Sequence, residues 1–358
     1  MQGTLLKTIS ADTLHCNASL SSQKIDDFRL DLLIVQARSS VGLDARESIL
    51  QLEIQDITDG ISHMYKVYEY QEPDDLVGDV FIRQWPLSTI LPRQSLTTWT
   101  TIIQIDTQRL RFARQGLRNL LFKLTLILEE GSQRTESHDL IDYDNPCLGY
   151  QDQQENTEHI RLQAAHLAGS LIAQNQKSLN PDQHGLLRGW LLVDVNLSKV
   201  SHKGRRTFEK SFKKLMKACR DTELSQIIAL SQEITESTTV GQRQEIVEFC
   251  FHLIGLLEPL STTALVTLRE IAVIWKIEST QFSILLEKIL SIDRLKGIDP
   301  TVLLGITEDM PTEHRLSQLN KAYAKWNARV THADKAVQQQ AEEMLSWISQ
   351  ARSQYLRS

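Results

Sequence analysis

The spacing of apolar residues changes once along this chain, and that change constrains the fold more than any motif does. Before about residue 148, apolar side chains tend to alternate with polar ones. After about residue 157 they recur at steps of three and four. The first period suits a strand with one buried face, the second a helix with one apolar stripe. The two periods stay apart in sequence, so the expected class is multidomain α+β. At 358 residues the chain has room for more than one core.

Residues 1–148 contain runs of strand length rich in Ile, Val, Thr, Tyr and Leu: "RLDLLIVQAR" (29–38), "ESILQLEIQDI" (47–57), "SHMYKVYEYQ" (62–71), "VGDVFIRQW" (77–85), "LTTWTTIIQI" (96–105) and "RNLLFKLTLIL" (118–128). Turn chemistry separates them, as in "TDGIS", "EPDD" and "EEGSQ". Many short strands without helical spacers predict a β-sandwich that binds or holds a partner. In "WTTIIQI" a period of two puts Trp99, Thr101, Ile103 and Ile105 on one face, the expected core side.

The polar, aperiodic stretch "GYQDQQEN" (149–156) marks the expected first boundary. Residues 157–292 then read as an all-α bundle. Ile160, Ala164, Leu167, Ala168, Leu171 and Ile172 form one apolar face; Leu265, Leu268, Ile271, Ala272 and Trp275 form another. Asn180-Pro181-Asp182 has the chemistry of a helix start. Residues 293–358 give a short helix and then two long ones. The first long helix carries Leu316, Leu319, Tyr323 and Trp326 on one side. The second carries Ala341, Leu345, Ile348, Ala351 and Tyr355.

Charge and motif content narrow the functions. A net charge of -6 argues against a general nucleic-acid binder. The segment 199–220 departs from that balance, with nine Lys or Arg against the single acid Glu209. Its basic residues include Lys199, Lys203, Arg205, Arg206, Lys210, Lys213, Lys214 and Lys217, while Phe208, Phe212, Leu215 and Met216 follow helical spacing. It is either a solvated helix face or a docking face for an acidic protein, a nucleic-acid backbone or anionic lipid. No aromatic platform accompanies it, so nucleic acid is the weaker partner.

The cysteines Cys16, Cys147, Cys219 and Cys250 are widely spaced and predict reduced thiols in a cytoplasmic protein, with no zinc knuckle. No P-loop, GxGxxG, GxSxG or HExxH occurs, and the expectation is a non-enzyme with no cofactor and no metal. The first residues lack the pattern of a secretory signal, and no apolar run is long enough to span a bilayer.

Two helix–turn–helix halves, around 158–192 and 243–277, resemble a TerB-like (tellurite-resistance-type) domain. The acidic turns usual in that family are replaced here by "NQKSLNPDQ" and "EPLSTTALV", so a metal site is not carried over.

The last region resembles a J-domain. "LLGI" (303–306) matches the leucine-glycine turn after the family's first helix, "NKAYAKW" (320–326) its second helix, and "LSWISQARSQYL" (345–356) its third. His332-Ala333-Asp334 stands where the His-Pro-Asp loop belongs. The resemblance implies contact with an Hsp70-family ATPase: Lys321, Lys325 and Arg329 supply electrostatic contact, and His332 and Asp334 the loop contact. Ala333 in place of proline removes a fixed φ, and the step from Tyr323 to His332 is one residue longer than usual. The bland alternative is an interhelical loop whose Asp caps the next helix.

A TerB-like bundle followed by a J-domain is similar to co-chaperones of the DjlA type, with a β-domain in place of the membrane anchor. The leading expectation is a co-chaperone-like adaptor with a client or partner protein on the β-domain. The alternatives are an interaction module working through 199–220, or a structural subunit of a stress or defence assembly.

Overall fold

The computed structural model describes residues 14–25, 28–39, 48–70, 78–90, 96–128, 134–176, 179–193, 201–290, 292–295, 298, 300–306, 310–333 and 335–355. The chain divides into two compact units, Met1–Asn156 and Thr157–Ser358. The first is built from antiparallel sheets and the second from helices. The stretches 157–292 and 293–358, which sequence patterns set apart, share the second unit.

The strands are β1 (Leu14–Ile25), β2 (Phe28–Ser39), β3 (Ser48–Asp56), β4 (Tyr65–Lys66), β5 (Tyr68–Glu69), β6 (Asp79–Val80), β7 (Ile82–Pro86), β8 (Thr100–Asp106), β9 (Leu110–Arg111), β10 (Gly116–Leu128) and β11 (Arg134–Asn145). One sheet runs β1-β2-β8. A second runs β11-β10-β3-β4, with β7 also paired to β3. A third is β6-β5-β9. Leu33 and Val35 of β2, Leu50, Leu52 and Ile54 of β3, and Leu120, Phe122 and Leu124 of β10 all join one apolar cluster, so the first two sheets share a core.

Strands β1 and β11 are too polar to stand out in the sequence, and that polarity has a use. β1 pairs with β2 along one edge only. On its other edge the Cys16 N–H donates to Ser137 Oγ at 2.9 Å and the Ala18 N–H to Asp139 Oδ2 at 2.7 Å. Side chains of β11 thus satisfy an edge that would otherwise be open to pairing.

In β8 the expected inward face is partly wrong. The pairing with β2 slips between Val35 and Gln36, leaving Ile102 as an extra residue. A bulge reverses the alternation. Ile105 is buried and Ile102 and Ile103 pack on the core, whereas Thr101 is exposed and Trp99 is 43% exposed beneath the Arg38 guanidinium.

Along β3 every second residue is buried, and the series Leu50, Leu52, Ile54 ends in Asp56, a carboxylate with no exposure. On β10 the buried series Leu124, Phe122, Leu120 likewise ends in Arg118, 4% exposed. Arg118 Nε lies 3.1 Å from Asp56 Oδ2. Asp56 Oδ1 accepts from the Thr58 N–H at 3.1 Å and hydroxyl at 2.5 Å. The two core stripes therefore finish in a buried ion pair.

The helices are α1 (Leu87–Ile90), α2 (Tyr150–Ala173), α3 (Pro181–Leu191), α4 (His202–Asp221), α5 (Leu224–Ser237), α6 (Val240–Ile254), α7 (Thr262–Ile274), α8 (Ser279–Ile289), α9 (Ile292–Leu295), α10 (Pro300–Leu304), α11 (Thr312–Asn327) and α12 (Lys335–Tyr355). The segment 149–156, aperiodic in sequence, is the approach to α2 and its first two turns. Its polar residues are used locally. Glu155 takes both terminal nitrogens of Arg114, at 3.0 and 2.6 Å, and Asp152 Oδ2 accepts from the Gln115 N–H at 2.7 Å. Gly149 lets the chain pass so close to Ala113 that a Cβ would overlap its carbonyl.

The α3 start is a capping box: Asn180 and Gln183 exchange side chain to backbone hydrogen bonds, both 2.8 Å. Trp275 is fully buried and donates through Nε1 to Ser231 O at 2.8 Å; Trp190 stacks on Phe249. These satisfied indoles fix how α3, α5, α6 and α7 pack.

Arg118→Met is expected to destabilise the β unit by about 3–5 kcal/mol, because the buried Asp56 carboxylate would lose its cation. Adding Asp56→Asn should recover part of that loss in denaturant melts. Equal stability of the single and double variants would refute the pairing.

Candidate functional site

Two surfaces of the helical unit carry the residues that the sequence singled out. The first is α4. Ser201 caps it by accepting from the Gly204 N–H. Phe212, Leu215, Met216 and Cys219 are buried on one face. On the far side Lys203, Arg206, Lys210, Lys213, Lys214, Lys217 and Arg220 fall within about 120° of arc and about 26 Å of axis. All seven are exposed. Arg205 is exposed as well but points outside this sector. Lys199 lies outside the described residues.

Glu209, the one acid in 199–220, could pair with Lys213 four residues on. Instead Arg188 of α3 grips it with two hydrogen bonds, at 2.5 and 2.8 Å, and lays its guanidinium 4.5 Å from the Phe212 ring. The Arg188 hydrogen bonds hold the Glu209 carboxyl below its ordinary range, and the charge of Lys213 adds a smaller pull. The acid left in the ridge sector is Asp221, exposed at the C-terminal end of α4.

That ridge works against its own helix. The first turn has no acid, and Lys203, Arg205 and Arg206 oppose the positive end of the helix dipole. Pairs such as Arg206/Lys210, Lys210/Lys214 and Lys213/Lys217 set like charges four residues apart, which destabilises a helix.

The second surface is the bend between α11 and α12. Leu319 and Trp326 of α11 pack with Ala341, Met344, Ile348 and Ala351 of α12. Between the helices Thr331, His332 and Ala333 are exposed, and the His332 N–H donates to Arg329 O at 3.1 Å. Asp334 and the Tyr355 side chain lie outside the described residues.

Upstream, α10 ends where Gly305 takes φ +67° and the Ile306 N–H reaches back to Thr301 O at 2.8 Å. A Cβ at Gly305 would collide with the Arg269 guanidinium. Arg269 of α7 is half-buried, donates to Leu303 O at 2.8 Å and lies 4.5 Å from the Phe282 ring; desolvation lowers its pKa to about 10. The "LLGI" turn is thereby seated on α7 and α8.

The cations Lys321, Lys325 and Arg329 do not act as a set. Glu287 of α8 holds Lys325 at 2.6 Å and Arg329 at 3.2 Å, one on each carboxylate oxygen, and Arg329 also covers the Trp326 ring at 4.5 Å. Lys321 is exposed. Sequence spacing missed both decisive counterions. Arg188 stands 21 residues from its partner, and Glu287 stands 38 and 42 from its two. Only the tertiary fold brings them together.

Among the described residues, no three His, Cys, Asp or Glu side chains converge on a metal-sized site, and no helix is long and apolar enough to cross a membrane. No family model matches the chain, and comparison with curated proteins and with solved structures likewise finds no match.

Lys203→Glu is expected to stabilise the helical unit by about 0.3–1 kcal/mol, since it puts a carboxylate on the α4 N-terminus. Urea midpoints at low salt will register the gain. His166 of α2 sits with Nε2 2.9 Å from Thr222 Oγ1, and burial lowers its pKa below the ordinary value of 6.5. A histidine lowered in the fold gives stability that is complete above pH 6.5 and lost as the pH falls. Melting between pH 7 and 5 should therefore drop more steeply in the wild type than in His166→Gln. Parallel curves would exclude the effect.

Proposed function

We propose that the protein is a non-enzymatic adaptor. Its α10–α12 segment works as a J-like module toward an Hsp70-family ATPase, and its β unit, taken as a sandwich of two sheets on one core, receives a client or partner protein. The observation that supports this is the exposed bend at 331–333 between two helices packed through Leu319, Trp326 and Ile348. Behind it, the short α10 closes in a left-handed glycine. Exposure gives the bend access to a partner, and the packed pair beneath holds it in place.

The ion pairs qualify how the module acts. With Lys325 and Arg329 on Glu287, the available electrostatic contact of the three is Lys321, in the middle of α11. An acidic partner surface must compete with Glu287 for the other two. Without proline, Ala333 leaves the bend less fixed than the family's loop. Binding with weak or absent ATPase stimulation follows from both.

Co-purification with an Hsp70-family protein tests this. Lys321→Glu and His332→Ala are expected to weaken capture. Glu287→Gln should strengthen it by releasing two cations, at a stability loss of no more than about 1 kcal/mol for such half-exposed pairs. No capture by any of these forms, or capture indifferent to all three substitutions, would sink the proposal.

A further inference from the structure

The α4 ridge is a second interaction surface, separate from the tail. We propose that it docks an acidic α-helix of a partner protein, laid lengthwise along Lys203, Arg206, Lys210, Lys213, Lys217 and Arg220.

Three observations select that occupant. First, these six cations follow steps of 3, 4, 3, 4 and 3 along α4, and all are exposed. Such a series stays nearly in line along a helix, the arrangement by which one helix runs beside another. An acidic helix with carboxylates at the same steps meets each cation in turn.

Second, the apolar face of α4 is already used. Phe212, Leu215, Met216 and Cys219 belong to the core of the unit. The helix has no apolar side left to insert among lipid chains, which membrane-surface helices rely on. Nor do aromatic side chains share the ridge sector to stack on bases, as single-stranded nucleic acid requires.

Third, the positive charge is confined. α4 carries eight Lys or Arg and two acids, whereas the rest of its unit, 157–201 with 222–358, sums to -3. A bilayer or a duplex extends beyond the ridge, over a unit whose other residues are net negative. A helix about as wide as α4 takes the attraction within a Debye length of roughly 8 Å and largely escapes the repulsion.

The structure also guards the ridge. Arg188 holds Glu209 by both carboxylate oxygens and so keeps that acid, midway along the helix, from competing with the partner; the second acid, Asp221, stands at the helix end. The like charges left facing one another make the free ridge costly to its own helix, and an acidic partner relieves that repulsion.

The test uses the full chain and a synthetic helical peptide of about 18 residues, roughly the length of the ridge. Its glutamates stand at alternating three- and four-residue steps. A second peptide has the same composition with the steps scrambled. Anionic vesicles of phosphatidylserine and phosphatidylcholine, and a short DNA duplex, are the competing probes. The spaced peptide is expected to bind about ten-fold tighter than the scrambled one, and more weakly as salt rises. The triple substitution Lys210→Glu/Lys213→Glu/Lys217→Glu should abolish binding. The neutral triple to Gln, compared by thermal melt, should weaken it without unfolding. Arg188→Gln should also weaken binding, by returning Glu209 to the ridge. Lys321→Glu should leave it unchanged, which separates this surface from the tail. Equal binding of the two peptides, tighter binding of vesicles or duplex, or no peptide binding would overturn the proposal.

Discussion

A carboxylate shut away from water must be held by a cation, and in the β unit Asp56 meets that demand at the end of an otherwise apolar stripe. Side chains alternate along a strand, so slipping β3 by one residue would expose Leu50, Leu52 and Ile54 together. Slipping it by two against β10 would carry Asp56 away from Arg118. The ion pair thus pins the register that the apolar residues alone leave open to two-residue shifts. Because β4, β7 and β10 all pair with β3, that register passes to the whole second sheet.

The helical unit uses carboxylates differently. Here the ion pairs are partly exposed and add little to stability. What they decide is which cations face water. Glu287 takes two positive charges out of the α11 face, while Arg188 occupies Glu209, the negative charge midway along α4. One surface is muted and the other purified. The same residue types lead to opposite results because the geometry of the neighbouring helix, not the local sequence, assigns the partners.

Much of the fold was legible because burial imposes a period. β3 and β10, or α2 and α7, announce themselves through Leu, Ile and Phe at steps that only one conformation can bury. The failures have definite causes. β1 and β11 carry Ser, Asn and Asp because one strand caps the other's edge, and polar strands leave no apolar rhythm. Trp99 faces outward because one extra residue at Ile102 reverses parity, and a bulge has no mark in "WTTIIQI". Residues 150–156 are helical although aperiodic, and their Asp152 and Glu155 answer to Arg114 and Gln115, far off in sequence. At the site, the exposed cations of α4 were visible as composition, and the bend after α11 as a break in pattern. That Lys325 and Arg329 are occupied was invisible, because nothing near them in sequence supplies the acid.

The division between the two compact units falls at Asn156–Thr157, inside α2, which runs unbroken from Tyr150 to Ala173. The backbone at that point is helical. Seven residues of the rod belong with the strands and seventeen with the bundle. Whoever dissects the protein with a scalpel at the same place will sever carbonyl-to-amide bonds on both sides of the incision.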